Sequence, residues 1–169
     1  MTWPNLPAWL LLNATALLFA LAHSLVDFHL GLFGQTSIFM TPLQAANILF
    51  ICLITGWWSV SLAIAAGDGR GGLSSAFVLS LVWAFLGHGA VAVVAAPPPS
   101  AAFPYQDITH FGSLIFGGLA VYATRKEMKA RAMPFNRSFV VITVVLIVAA
   151  MAINGVLALS NMASLPPAN

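Results

Sequence analysis

Five histidines and aspartates fall in two short strings, AHSLVDFH and YQDITHFGS, and a sixth such residue, His88, stands in FLGHGAV. In the first string His23 and Asp27 are four residues apart, which on a helix leaves them about 40° apart around the axis. His29 is about 120° from His23 and points elsewhere. In the second string Asp107 and His110 are three apart and share a helical face. Each string therefore offers a carboxylate and an imidazole on one stripe. An imidazole held through its second nitrogen has a fixed tautomer, as a metal ligand or a general base requires. His23 and His88 are the candidate cofactor ligands. His23, Asp27, His88 and His110 are the candidate metal ligands, with Asp107 as a further one. Imidazole with carboxylate suits zinc, copper or non-haem iron, and two histidines suffice for one haem.

The elements that must position these residues follow from composition. Of 169 residues, 60% are hydrophobic and 6% charged, with a mean hydropathy of +0.96. An average soluble domain carries about 25% charged residues. The expectation is an all-α, polytopic integral membrane protein forming a single domain. Five apolar stretches are long enough to span a bilayer, at about 8–30, 43–66, 73–96, 108–124 and 139–160. Turn chemistry separates them, in GLFGQTSIFMTP, GDGRGG, PPPSAAFPYQD and RKEMKARAMPFNR. The leader MTWPNLP has no basic residue, so the first stretch is expected to be a retained helix and not a signal peptide.

Orientation follows from the bases. Arg70 lies in the second connection, and Arg125, Lys126, Lys129, Arg131 and Arg137 lie in or beside the fourth. Both connections are on one side of a five-helix chain, which places the N-terminus in the cytoplasm and the C-terminus outside. The implied location is a bacterial inner membrane, with the 125–137 linker as a surface helix against anionic lipid. Alternation of helix direction then collects His23, Asp27, His29, His88, Asp107 and His110 at the opposite, outer end. That cluster forms only if the first, third and fourth helices are neighbours. Gly112, Gly117 and Gly118 favour close approach of the third and fourth.

Other residues have structural readings. Asp107, near a helix start, fits an N-cap as well as a ligand. Trp3, Trp9 and Tyr122 fit interfacial belts, Trp57, Trp58 and Trp83 face lipid or pack, and Asn13, Asn47, Asn154 and Thr143 bond between helices. Asp68 and Glu127 pair with neighbouring bases, and Cys52 fits a small buried hydrophobe. The basic pI of about 9.1 reflects an excess of two charges and carries no nucleic-acid signal. No Walker loop, dinucleotide glycine pattern, serine-hydrolase elbow or H-E-x-x-H motif occurs.

Four classes of function fit this pattern. The favoured one is a small membrane protein whose His and Asp cluster binds a metal ion or haem. The alternative is a non-catalytic accessory subunit of a larger membrane complex. An intramembrane enzyme acting on a lipid or quinone through an Asp and His pair is the third. An ion-coupled transporter is the weakest, because the inner half of the spans has no ionisable residue to continue a relay. The expected partners are membrane lipid and other membrane subunits, with no nucleic acid.

Overall fold

A computed structural model describes residues 6–33, 42–67, 69, 71–85 and 103–163, excluding side chains at 23–33, 42–51, 85, 103–110, 154–155 and 157–163. Among the described residues five helices are seen: α1 (Ala8–Phe33), α2 (Pro42–Ala66), α3 (Gly72–Phe85), α4 (Phe103–Ala130) and α5 (Arg137–Ala163). The described elements are all α-helical, as expected. Helix α3 packs against α2, α4 and α5, α1 packs chiefly on α4, and the consecutive pair α4 and α5 does not pack together among the described residues. The first and fourth helices are therefore neighbours, and so are the third and fourth.

The membrane-spanning expectation is corrected. Among the described residues no helix is long and apolar enough to cross a membrane. Five transmembrane spans, an N-terminus inside with the C-terminus outside, and an inner-membrane location are therefore not supported. One physical feature separates these helices from the stretches read out of hydropathy. Helix α4 runs on through Arg125, Lys126, Glu127 and Lys129, so bases assigned to a separate surface helix belong to its last turns. The inside is also more polar than composition suggests. Asn13, Ser61, Ser74, Ser75, Ser80, Ser113, Thr124 and Thr143 are all fully buried.

Two hydrogen-bonded clamps hold the helices in register. Asn13 of α1 donates through Nδ2 to the Trp9 carbonyl at 2.8 Å and to Thr124 Oγ1 of α4 at 2.7 Å. Its Oδ1 accepts from the Trp58 indole of α2 at 3.1 Å. The preceding residue, Trp57, donates to Thr143 Oγ1 of α5 at 2.9 Å, and Thr143 Oγ1 lies 2.8 Å from Ser75 Oγ of α3. Adjacent tryptophans thus fasten α2 to opposite sides of the bundle. Expected roles change accordingly. Trp9 is 2% exposed and belongs to the core rather than to an interfacial belt, Trp58 packs fully buried, and Cys52 is exposed rather than buried. Asn13 and Thr143 do bond between helices, whereas Asn47 and Asn154 have side chains outside those described.

The second and fourth connections lie at the same end, as helix alternation requires. Ser74 Oγ, at the start of α3, accepts from the Asn136 amide at 2.9 Å, and a Cβ on Gly71 would run into the Phe139 ring. Asn136 caps α5 by accepting the Phe139 amide at 3.2 Å. Arg131 and Glu127 pair at 2.7 Å one turn apart, as expected for Glu127; Asp68 and Arg70 lie outside the described residues. Helix α4 ends in a Schellman motif. The Met133 amide reaches the Met128 carbonyl at 2.9 Å and the Ala132 amide reaches Lys129 at 3.1 Å. This forces Ala132 to φ 50°, a left-handed conformation that costs an L-residue about 1 kcal/mol and glycine little. Ala132→Gly is expected to raise the unfolding free energy by about 1 kcal/mol in a denaturant titration; a loss would show that the turn is not held in this form.

Candidate functional site

Helices α1 and α4 contain most of the residues singled out by chemistry, and the described part of their seam fixes how the pair is aligned. On α1 the buried positions Trp9, Asn13, Ala16 and Ala20 recur at intervals of four, three and four, the spacing that keeps one stripe against a partner helix. On α4 the corresponding stripe is Ser113, Gly117, Ala120, Thr124 and Met128, all buried. The helices are antiparallel, because Asn13 bonds to Thr124 while Phe19 stacks on Phe116 at 5.1 Å between ring centroids and 12° between planes. Alanine and glycine across this seam let the backbones come close. A Cβ on Gly112 would overlap the Phe19 ring, and one on Gly117 would stand 3.0 Å from the Ala84 methyl of α3. Gly118 has nothing within 4 Å of its Cβ position and takes no part in the close approach.

Both helices continue beyond these contacts through the predicted ligands. Helix α1 is unbroken to Phe33 and so includes His23, Asp27 and His29; α4 begins at Phe103 and includes Asp107 and His110. His23 and Asp27 extend the α1 stripe from Ala20 at the same three-and-four spacing, and His110 precedes Ser113 by three. One turn along α1 from Phe19 matches one turn back along α4 from Phe116 or Gly112. Position 23 is then level with residues about 108–113, and position 27 with about 104–109. The two His and Asp strings thus occupy the same end of the same helix pair, opposite the end holding the 125–137 bases. Asp107 stands in the second turn of α4, which corrects its N-cap reading. His88 lies outside the described residues, so its place relative to this pair is not part of the site. Among the described residues no group of three His, Cys, Asp or Glu suited to a metal is found, so metal binding is not shown there.

Ser113, on the buried face of α4, is a residue that the sequence did not single out. It is 0% exposed, and its Oγ has no hydrogen-bond partner. A buried hydroxyl with no partner costs about 1–3 kcal/mol and calls for a reason. The available signal was its position, three residues after His110 and beside Gly112. A small polar residue there was easily taken for helix packing.

No family model, curated protein or solved structure matches the chain.

Proposed function

We propose that this helical bundle binds a transition-metal centre between α1 and α4, using His23 and Asp27 from one helix and His110 from the other, with Asp107 as a further ligand. The observation that carries this is the antiparallel register fixed by the Asn13 to Thr124 bond and the Phe19 to Phe116 stack. Carried on along both helices, it brings the two strings level. Imidazoles from two helices and a neighbouring carboxylate form a donor set suited to zinc, copper or non-haem iron. Ligands carried on helices, as these would be, favour a fixed coordination geometry.

Metal analysis of purified protein tests the proposal. One equivalent of metal per chain is expected, falling at least tenfold in His23→Ala and in His110→Ala while the helical circular dichroism is retained. A metal content that is substoichiometric, or unchanged in both variants, would rule it out.

A second reading rests on α5. Eight of its large apolar side chains are exposed, among them Val141, Val144, Val145, Val148 and Val156. An exposed apolar face of that kind marks a contact with another molecule, which fits the subunit of a larger assembly. Purification in stoichiometric company, lost when Val145 and Val148 are both changed to Ser, would favour it.

A further inference from the structure

We infer that the outward face of α5 is an interface between two copies of this chain, packed antiparallel across Val141, Val145, Val148 and Ala152. The inference rests on the second reading above, that α5 meets another molecule, and names that molecule. It is independent of the metal centre.

The spacing of the exposed residues carries the first step. Val141, Val145 and Val148 are 59%, 59% and 58% exposed, and Ala152 is exposed as well. Their intervals of four, three and four repeat every 3.5 residues, the period of a seam between two helices. The buried residues Thr143, Ile147 and Ala150 recur at four and three, on a helix that packs against α2 and α3. Val145 is two residues from Thr143, about 200° around the axis, so the exposed stripe lies opposite the buried one. Helix α5 thus has two packing seams back to back, and the bundle fills one. Helix α4 does not cover the other, since α4 and α5 do not pack together among the described residues.

Charge decides what fills it. From Ser138 to Asn169 the sequence has no Asp, Glu, Lys or Arg, and between Val141 and Val156 every described exposed residue is apolar. Such a face offers a partner no ion pair and strands any charge set against it. The partner stripe must therefore be apolar, uncharged and of the same period, and α5 of a second copy has these properties by identity. A two-fold axis closes such a pair and leaves neither face open. Charge also sets the direction. Arg137 begins α5, and just before it the Arg125 guanidinium lies 5.2 Å from the centre of the Phe135 ring, so bases collect at the start of this helix. Parallel α5 helices, about 8–10 Å apart, would bring the two sets of bases together. Antiparallel helices that pair 141 with 152 hold the two Arg137 residues about 30 Å apart, several times the screening length of about 8 Å at physiological salt.

Sedimentation equilibrium of the full-length protein tests this. Twice the chain mass of 17.8 kDa is expected for wild type, and the single mass for Val145→Arg with its helical circular dichroism retained. Leu119→Arg, at an exposed position of α4, is the control and is expected to stay dimeric. In a Cys52→Ser background, Val141→Cys with Ala152→Cys is expected to form disulfides between chains and Val141→Cys alone to form none, because only the mixed pair comes within about 7 Å. These cysteine variants decide the matter should Val145→Arg not fold. A dimer that survives Val145→Arg, or is lost in Leu119→Arg, would place the contact elsewhere and overturn the inference. A disulfide in Val141→Cys alone, or none in the double variant, would overturn the antiparallel pair. Wild type of single mass that co-purifies with a different protein through this face would overturn the second copy and leave the assembly reading standing. Single mass with no companion, or with binding only to phosphatidylcholine vesicles, would remove both.

Discussion

Replacing Asn13 by alanine is expected to lower the unfolding free energy by about 3 kcal/mol, measured by denaturant titration. Asn13 is fully buried and makes three hydrogen bonds, to Trp9, Thr124 and Trp58. The carbonyl of Trp9 keeps its helical partner after the change, so that bond is the least costly to lose. The Trp58 indole N–H and the Thr124 hydroxyl are stranded in the core, each at about 1–3 kcal/mol. A small cavity is added where the amide stood. The effect also has a direction in space. Asn13 joins α1 to both α2 and α4, so its loss loosens the helix pair that holds the candidate site, and metal affinity is expected to fall with stability. Asn13→Ala with unchanged stability would mean that these three groups are not mutually bonded.

A comparable loss, about 3 kcal/mol, is expected for Gly72→Ala at the turn between α2 and α3. A Cβ there would collide with the Ser61 carbonyl oxygen and the Ala65 amide nitrogen. Both belong to the backbone of α2, so the strain cannot be relieved by turning a side chain, and overpacking of this kind costs about 1–3 kcal/mol or more. Gly118→Ala is the internal comparison. Its Cβ would meet nothing within 4 Å, and alanine is a better helix former than glycine by about 1 kcal/mol. That variant is expected to be neutral or mildly stabilised. If Gly72→Ala and Gly118→Ala behave alike in a thermal melt, the tight contact at the α2–α3 turn does not exist.

Particular residues show how far the sequence could be read. The turn string GDGRGG placed the end of α2 and the start of α3 within a residue, and the end of RKEMKARAMPFNR placed the start of α5 within two, because glycine, proline and asparagine act through local backbone geometry. The helical backbone through His23, Asp27, Asp107 and His110 was also legible, while the side chains of these residues lie outside those described. Hydropathy was the misleading signal. It counts apolar side chains without recording which face they occupy, and here the exterior of α5 is as apolar as its interior. Asn13 and Thr143 were legible as interhelical bonding residues, whereas their buried partner Ser75 was hidden among apolar neighbours. Neither the burial of Ser113 nor the fourth helix's continuation through Arg125 to Lys129 was legible: the first depends on packing between helices, and the second ends in a local turn, the Met133 amide returning to Met128, made without the usual glycine. The Thr124 hydroxyl bonded to Asn13 has no local sequence signature.

The central claim is that α1 and α4 bring positions 23 and 110 together, and cysteine cross-linking tests it without any metal. In a Cys52→Ser background, His23→Cys with His110→Cys is compared with Ala16→Cys with Ala120→Cys, whose positions are both buried in the described seam. Disulfides need Cα atoms no more than about 7 Å apart, and a short bis-maleimide extends that reach modestly. Intramolecular cross-linking of both pairs is the expected result. Cross-linking of the 16 and 120 pair with none between 23 and 110 would show that the helices diverge before the histidines, and would contradict the site.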